Sequence, residues 1–224
     1  MKNEIKIIAH RGYSSLYPDN SQESFERALA VGANIIETDI REATDGSLIC
    51  SHDPAQGAAL SFSDALVFAK DKITLLLDLK MNEPEFHAKL AQELKSHGME
   101  EQVIIGVRSL EQARQIKALL PKAQMLGFLK NPSDFPEFFK IGGNIARLWE
   151  SDVNDKNLTL ASSGGHPVFV MAGSKLSAVG DITPERLRKI MSLDVQGVLV
   201  NDPKLALQVR SEKARPPSPP GIVG

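Results

Sequence analysis

Three short polar runs close apolar segments in this chain. His10-Arg11-Gly12 ends Ile5 to Ala9, Glu37-Thr38-Asp39 lies near the end of 34–40, and Ser51-His52-Asp53 follows a short extended piece. A fourth pair, Asp78 and Lys80, ends a Leu-rich run that begins at Lys72. Residues two apart in a strand share a face, so Glu37 joins Asp39, and Asp78 joins Lys80. Three carboxylates facing one pocket repel strongly unless positive charge sits among them. Oxygen-only ligands suit a hard divalent cation, Mg²⁺ or Ca²⁺, better than Zn²⁺. The competing reading neutralises Glu37, Asp39 and Asp78 with Arg11 and Lys80 alone, since ion-pair networks also gather at strand ends. Spacing leaves both readings open.

His10 and His52 suit general acid and base roles, because a pKa of about 6.5 keeps both protonation states accessible. Arg11 and Lys80 offer donors without acceptors, as an anionic group such as a phosphate requires. Cation, acid–base pair and anion-binding pair together describe phosphoryl transfer or hydrolysis. The remaining histidines, His87, His97 and His166, read as surface residues.

The elements that position these groups alternate. Strands are expected near residues 5, 34, 73, 102, 123, 143, 167 and 195, with an extra extended piece at 47–51. Between them, Asn20 or Ser21 caps a helix ending at Gly32, and Ser61 opens a second helix toward Lys70. Phe86, Leu90 and Leu94 recur at helical spacing before Gly98. Ser109-Leu110-Glu111-Gln112 is a capping box, and Thr183-Pro184-Glu185 is a helix entry. Eight strands alternating with helices fit a (β/α)₈ TIM barrel, with the doubly wound open sheet as runner-up. We expect one barrel domain over 1–210 and a flexible Pro-rich tail over 211–224.

In a barrel, residues just after each strand converge. Arg147, Trp149 and Met171 are therefore candidate pocket walls. Trp149 reads equally as packing under a loop, and Arg147 with Glu150 as a local ion pair.

Composition sets the surroundings. The chain has 224 residues, a formal charge of −2 and one cysteine, Cys50. It has no overall basic field, so nucleic acid is not an expected partner. It has neither an apolar run long enough for stable membrane insertion nor a secretory h-region, and the expected location is cytoplasmic.

Ile8-Ala9-His10-Arg11-Gly12, Pro18-Asp19-Asn20-Ser21, Glu37-Thr38-Asp39, Asp45-Gly46 and His52-Asp53-Pro54 carry a more specific signal. In order, spacing and residue type the set resembles the glycerophosphodiester phosphodiesterase family. The resemblance runs from about Ile7 to Pro203 and is strongest before residue 80. It implies the (β/α)₈ barrel, His10 and His52 as the acid–base pair, Glu37, Asp39 and Asp78 as metal ligands, and Arg11 and Lys80 on the phosphate. It also implies a role in lipid and glycerol metabolism through a two-stage reaction. A glycerol hydroxyl attacks phosphorus and expels the alcohol, and the cyclic phosphate is then hydrolysed to glycerol 3-phosphate. Alternatives are a phospholipase D-like lyase that stops at the cyclic phosphate and a non-catalytic phosphate-ligand binding barrel. This chain has Asp19-Asn20 where the family commonly has Glu-Asn, and Asp78 where it has Glu. Only 25 residues separate His52 from Asp78, so the family's insertion there is much reduced, which implies a more open pocket and an altered alcohol.

Overall fold

The structure, a computed structural model, describes residues 4–54, 58–174 and 177–214. In chain order the strands and helices are β1 (Lys6–His10), α1 (Gln22–Val31), β2 (Ile35–Glu42), β3 (Leu48–Cys50), β4 (Leu60–Ser61), α2 (Phe62–Ala69), β5 (Thr74–Leu79) and α3 (Pro84–His97). They continue as β6 (Val103–Val107), α4 (Leu110–Leu119), β7 (Gln124–Gly127), α5 (Phe135–Ile141), β8 (Ile145–Trp149), α6 (Asp155–Ala161), β9 (Val168–Met171), α7 (Pro184–Ser192), β10 (Gly197–Val200) and α8 (Pro203–Ala214).

β1, β2 and β5 to β10 pair in parallel, and β1 bonds to both β2 and β10, so the ring closes. The protein is a (β/α)₈ barrel, and the open-sheet alternative is excluded. β3 and β4 form an antiparallel flap on the end of β2.

Alternation within each strand divides the core into two parts. Ile8, Ile35, Leu76, Ile104, Leu126, Ile145, Phe169 and Leu199 fill the barrel with Phe128 and Met171, while the opposite faces pack under the helices. Each fully buried Leu or Ile contributes about 1.5–3 kcal/mol. Two residues further along the same inward faces, the side chains become His10, Glu37, Asp78 and Arg147.

Helix ends follow the sequence signals. Ser21 caps α1 in a reciprocal capping box with Ser24, Ser109 caps α4, and Thr183 caps α7 ahead of Pro184. Two readings change in detail. α8 runs through Ala214, across the first four residues assigned to the tail, and residues 215–224 lie outside the described residues. His87 is buried rather than exposed, bonded to Gln115 and Gln112 between α3 and α4. His97 and His166 are partly buried, and the His166 ring stacks 3.9 Å from that of Phe139.

Candidate active site

The site begins with strand register. Parallel pairing sets His10 beside Glu37 and Asp39 beside Asp78. Parallel partners in register face the same way, so neighbouring strands deliver these groups side by side. Lys80 lies one residue past β5, and its backbone N–H donates to Ile40. Its ammonium sits 2.7 Å from both Asp39 and Asp78, between two carboxylates that would otherwise repel.

The loop after β1 supplies the next contacts. Arg11 has φ 55° and Asn20 φ 53°, left-handed values uncommon outside glycine and recurrent at functional sites. Gly12 also has positive φ, and a Cβ there would meet Ser24 Oγ at 2.3 Å, so only glycine lets the loop close on α1. Arg11 bonds Asp19 at 2.8 Å, and its Nε lies 3.0 Å from Asp39 Oδ2 as an ion-pair contact off the hydrogen-bonding axis. The Arg11 backbone N–H donates to Glu37. Asn20 does not cap α1. Its amide turns inward, donating to Asp39 and accepting from Thr38 and the Asp39 N–H.

Glu37, Asp39 and Asp78 are buried, and one oxygen from each lies within 4.8 Å of the others. Burial raises the Glu37 pKa well above its ordinary value, and Asp39 and Asp78 push it further. Burial also works against the Asp39 charge, but Lys80, Asn20 and Arg11 outweigh it and hold that pKa below the ordinary range. A carboxyl that favours its proton beside two carboxylate neighbours is a donor set short of positive charge, and it fits a hard cation.

His10 is buried at the same level. Its Nδ1 is 2.7 Å from Asn201 Oδ1, and its Nε2 is 3.9 Å from Glu37. Burial lowers its pKa, against the Asn201 hydrogen bond, which raises it. Asn201 is fixed by donating to Val179 and Asp181. Gly180, at φ 85°, packs so closely that a Cβ would meet Asn201 Oδ1 at 2.0 Å.

His52 stands apart from this buried group. It is exposed beside Asp53, at 3.1 Å, and lines an open cleft of about 620 Å³ with Arg11, Asp19 and Asn20. Trp149 is 37% exposed at the mouth, with Arg147 stacked against its ring. Glu150 bonds Arg186 and the Gly173 N–H, so the ion pair suggested with Arg147 is replaced. Met171 is buried in the barrel interior.

Sequence reasoning missed Arg108. It directly follows β6, and its guanidinium bonds both oxygens of Asp78. The strand-end rule that found His10 would have found it too. Gln112 holds it from behind, accepting from the Arg108 N–H and donating to the Met81 carbonyl.

The fold and this mouth define a (β/α)₈ barrel with a buried acid–cation centre at the carboxyl ends of its strands. Comparison with known proteins shows what this mouth is similar to. Residues 10–83 match the model of the "Glycerophosphoryl diester phosphodiesterase family". A glycerophosphodiester phosphodiesterase of Bacillus altitudinis is 48% identical over 48 residues, 21% of this chain and 20% of that protein. One of Caldanaerobacter subterraneus is 28% identical over 152 residues, 51% of this chain and 63% of that protein. The sequence matches thus span from a fifth to less than two thirds of these relatives' lengths. Among solved structures, a putative glycerophosphodiester phosphodiesterase from Galdieria sulphuraria has TM-score 0.80 at 21% identity, covering 92% of this chain and 98% of that one. A phosphodiesterase of Oleispira antarctica, in complex with the product sn-glycerol-3-phosphate, has TM-score 0.79 at 16% identity, covering 92% and 96%. These structural likenesses establish the fold. Over residues 10–83, its first barrel strands and their loops, the chain is similar to the glycerophosphodiester phosphodiesterase family.

Proposed function

We propose that this chain hydrolyses a glycerophosphodiester, or a related small phosphodiester, to glycerol 3-phosphate and an alcohol. The observation that carries this reading is the single buried constellation of His10, Glu37, Asp39, Asp78 and Lys80, inside the stretch that matches the family model. Glu37, Asp39 and Asp78 would hold a divalent cation, Mg²⁺ or Ca²⁺. When bound, that cation supplies positive charge to the phosphate and promotes attack on phosphorus.

The chain's own residues do the rest. Arg11 and Lys80 orient the phosphate, each giving up part of its contact with Asp19, Asp39 or Asp78. His10, steered by Asn201 and with its neutral form favoured by burial, exchanges a proton with the attacking or the leaving oxygen. His52, which lines the open cleft with Arg11, serves the other oxygen. The substrate's glycerol hydroxyl forms the new P–O bond as the P–O bond to the alcohol breaks and that alcohol takes a proton. Water then opens the cyclic phosphate. Trp149, Arg147 and Met171 form the far wall.

We infer one catalytic domain over 1–210, a small-molecule substrate, a role in lipid and glycerol metabolism and a cytoplasmic location, to which the buried lone thiol of Cys50 is suited. Among the described residues no helix is long and apolar enough to cross a membrane. The test is a panel of glycerophosphodiesters and other small phosphodiesters assayed with Mg²⁺, Ca²⁺, Mn²⁺ or chelator and followed by phosphorus NMR. Glycerol 3-phosphate is the expected product. Accumulating cyclic phosphate would establish the lyase instead, and binding without turnover a non-catalytic barrel.

A further inference from the structure

The far side of the mouth holds a guanidinium with two buried nitrogens that no described residue hydrogen-bonds. β8 is the fourth strand from β2 around the eight-stranded ring, directly across the barrel from Glu37 and Asp39. Arg147 points inward from β8, two residues above Ile145 of the barrel interior, and is 4% exposed. Its guanidinium lies 4.2 Å from the centre of the Trp149 ring and 5.1 Å from that of Phe128. Nε and Nη1 are buried without a hydrogen-bond partner among the described residues. Ring faces attract a cation, but they accept nothing from N–H groups in the guanidinium plane.

The other cations of the mouth differ. Arg11, Lys80 and Arg108 each engage Asp19, Asp39 or Asp78. Burial lowers the Arg147 pKa to about 10, with Asp78 and Asp152 opposing and Arg108 adding, so the group stays charged at neutral pH. Asp78 and Asp152 act on this charge from beyond ion-pair distance, and a buried charge whose N–H groups go unbonded is costly.

We propose that Arg147 is a specificity residue that receives an oxyanion on the leaving-group half of the substrate, so that preferred diesters carry a second negative group, a carboxylate or a phosphomonoester. This rests on the phosphodiesterase reading above, which assigns the phosphodiester itself to the carboxylate side. Trp149 covers the guanidinium, and an oxyanion reaches the buried nitrogens by shifting that ring. The chain has one tryptophan, so its fluorescence reports the event.

The test uses three glycerophosphodiesters whose three-carbon leaving groups end in hydroxyl, carboxylate or phosphate. Affinities are read from Trp149 fluorescence in a full-length His10→Ala chain, in which hydrolysis is slowed at least about 100-fold, and kcat/KM is read in the native chain. At least one anionic ester should bind about 10- to 100-fold tighter than the hydroxyl ester, the range of one charge-assisted pair. The tighter of the two anionic esters identifies the group. Arg147→Met should bring that ratio toward one, and Arg147→Lys should restore part of it. Equal affinities for all three esters, or a ratio that survives Arg147→Met, would overturn the proposal. The ratio in the native site remains decisive even where a substitution unfolds the chain. Turnover of all three esters at similar kcat/KM defeats this inference and leaves the phosphodiesterase reading intact. Tighter binding of an anionic ester, lost in Arg147→Met, without turnover of any ester defeats that reading and leaves the anion site standing.

Discussion

Around the barrel mouth, β1, β2 and β5 present His10, Glu37, Asp39 and Asp78 inward, whereas β6, β7 and β8 lead inward to Arg108, Phe128, Arg147 and Trp149. In the first half the carboxylates interlock with Lys80, Arg11 and Asn20, and several contacts are set by register between adjacent strands. In the second half no inward strand position carries a carboxylate, and Arg147 relies on ring faces. In the carboxylate half Asp39 and Asp78 are paired before any ligand arrives, and Glu37 alone is left short of positive charge. The arginine half is completed by something that arrives.

Removing His10 should separate chemistry from architecture most sharply. His10→Ala is expected to lower turnover at least about 100-fold, the lower range for a general acid or base, with circular dichroism and thermal unfolding little changed.

Breaking the carboxylate half should cost stability instead. Lys80→Met leaves Asp39 and Asp78 side by side and should destabilise by about 3–5 kcal/mol in denaturant unfolding, as expected when one member of a buried ion cluster is lost. Arg108→Ala removes a half-exposed partner of Asp78, so a smaller loss of about 1 kcal/mol is expected. It should also tighten divalent-cation binding measured by calorimetry, because Asp78 loses a competitor.

Asn201→Leu tests the orientation of His10. Burial already lowers the His10 pKa and the Asn201 bond raises it, so losing that bond should lower it further. Where neutral His10 is the active form, the acid limb of the pH–rate profile then moves to lower pH. A limb that stays in place would leave Asn201 only a structural role.

The smallest effect concerns Cys50. Burial pushes its thiol up to about 12, from an ordinary 9.0. A folded pKa above the unfolded one gives stability that is complete below 9.0 and is lost as pH climbs through about 12. Thiol-modifying reagents should therefore find Cys50 inert at neutral pH until the chain unfolds.

Much of this was legible in the sequence, for physical reasons. Strand alternation, caps and breakers gave all eight barrel strands, although β8 starts at Ile145 rather than Gly143 because Gly142 sits at φ 106° in the helix-ending turn. The shared face of Glu37 and Asp39 follows from strand period alone. The pairing of Asp39 with Asp78 depends on register between strands, which no local pattern encodes. Arg108 was overlooked because it belongs to no motif, although it stands at a strand end as His10 does. His87 was misread because the buried face of α3 is wider than Phe86, Leu90 and Leu94 suggest and takes in His87 and Ala91. Asn20 stood beside Ser21 as a possible cap because a left-handed backbone that turns its amide inward leaves no trace in composition.

The central claim is that the carboxylate half performs phosphodiester chemistry with a divalent cation. It is tested most directly by following one glycerophosphodiester by phosphorus NMR with the native chain, first with Mg²⁺ or Ca²⁺ and then with excess chelator. Conversion to glycerol 3-phosphate that stops on chelation and resumes when the cation is restored is the predicted result. Conversion unaffected by chelator, or none with any cation, would contradict the account.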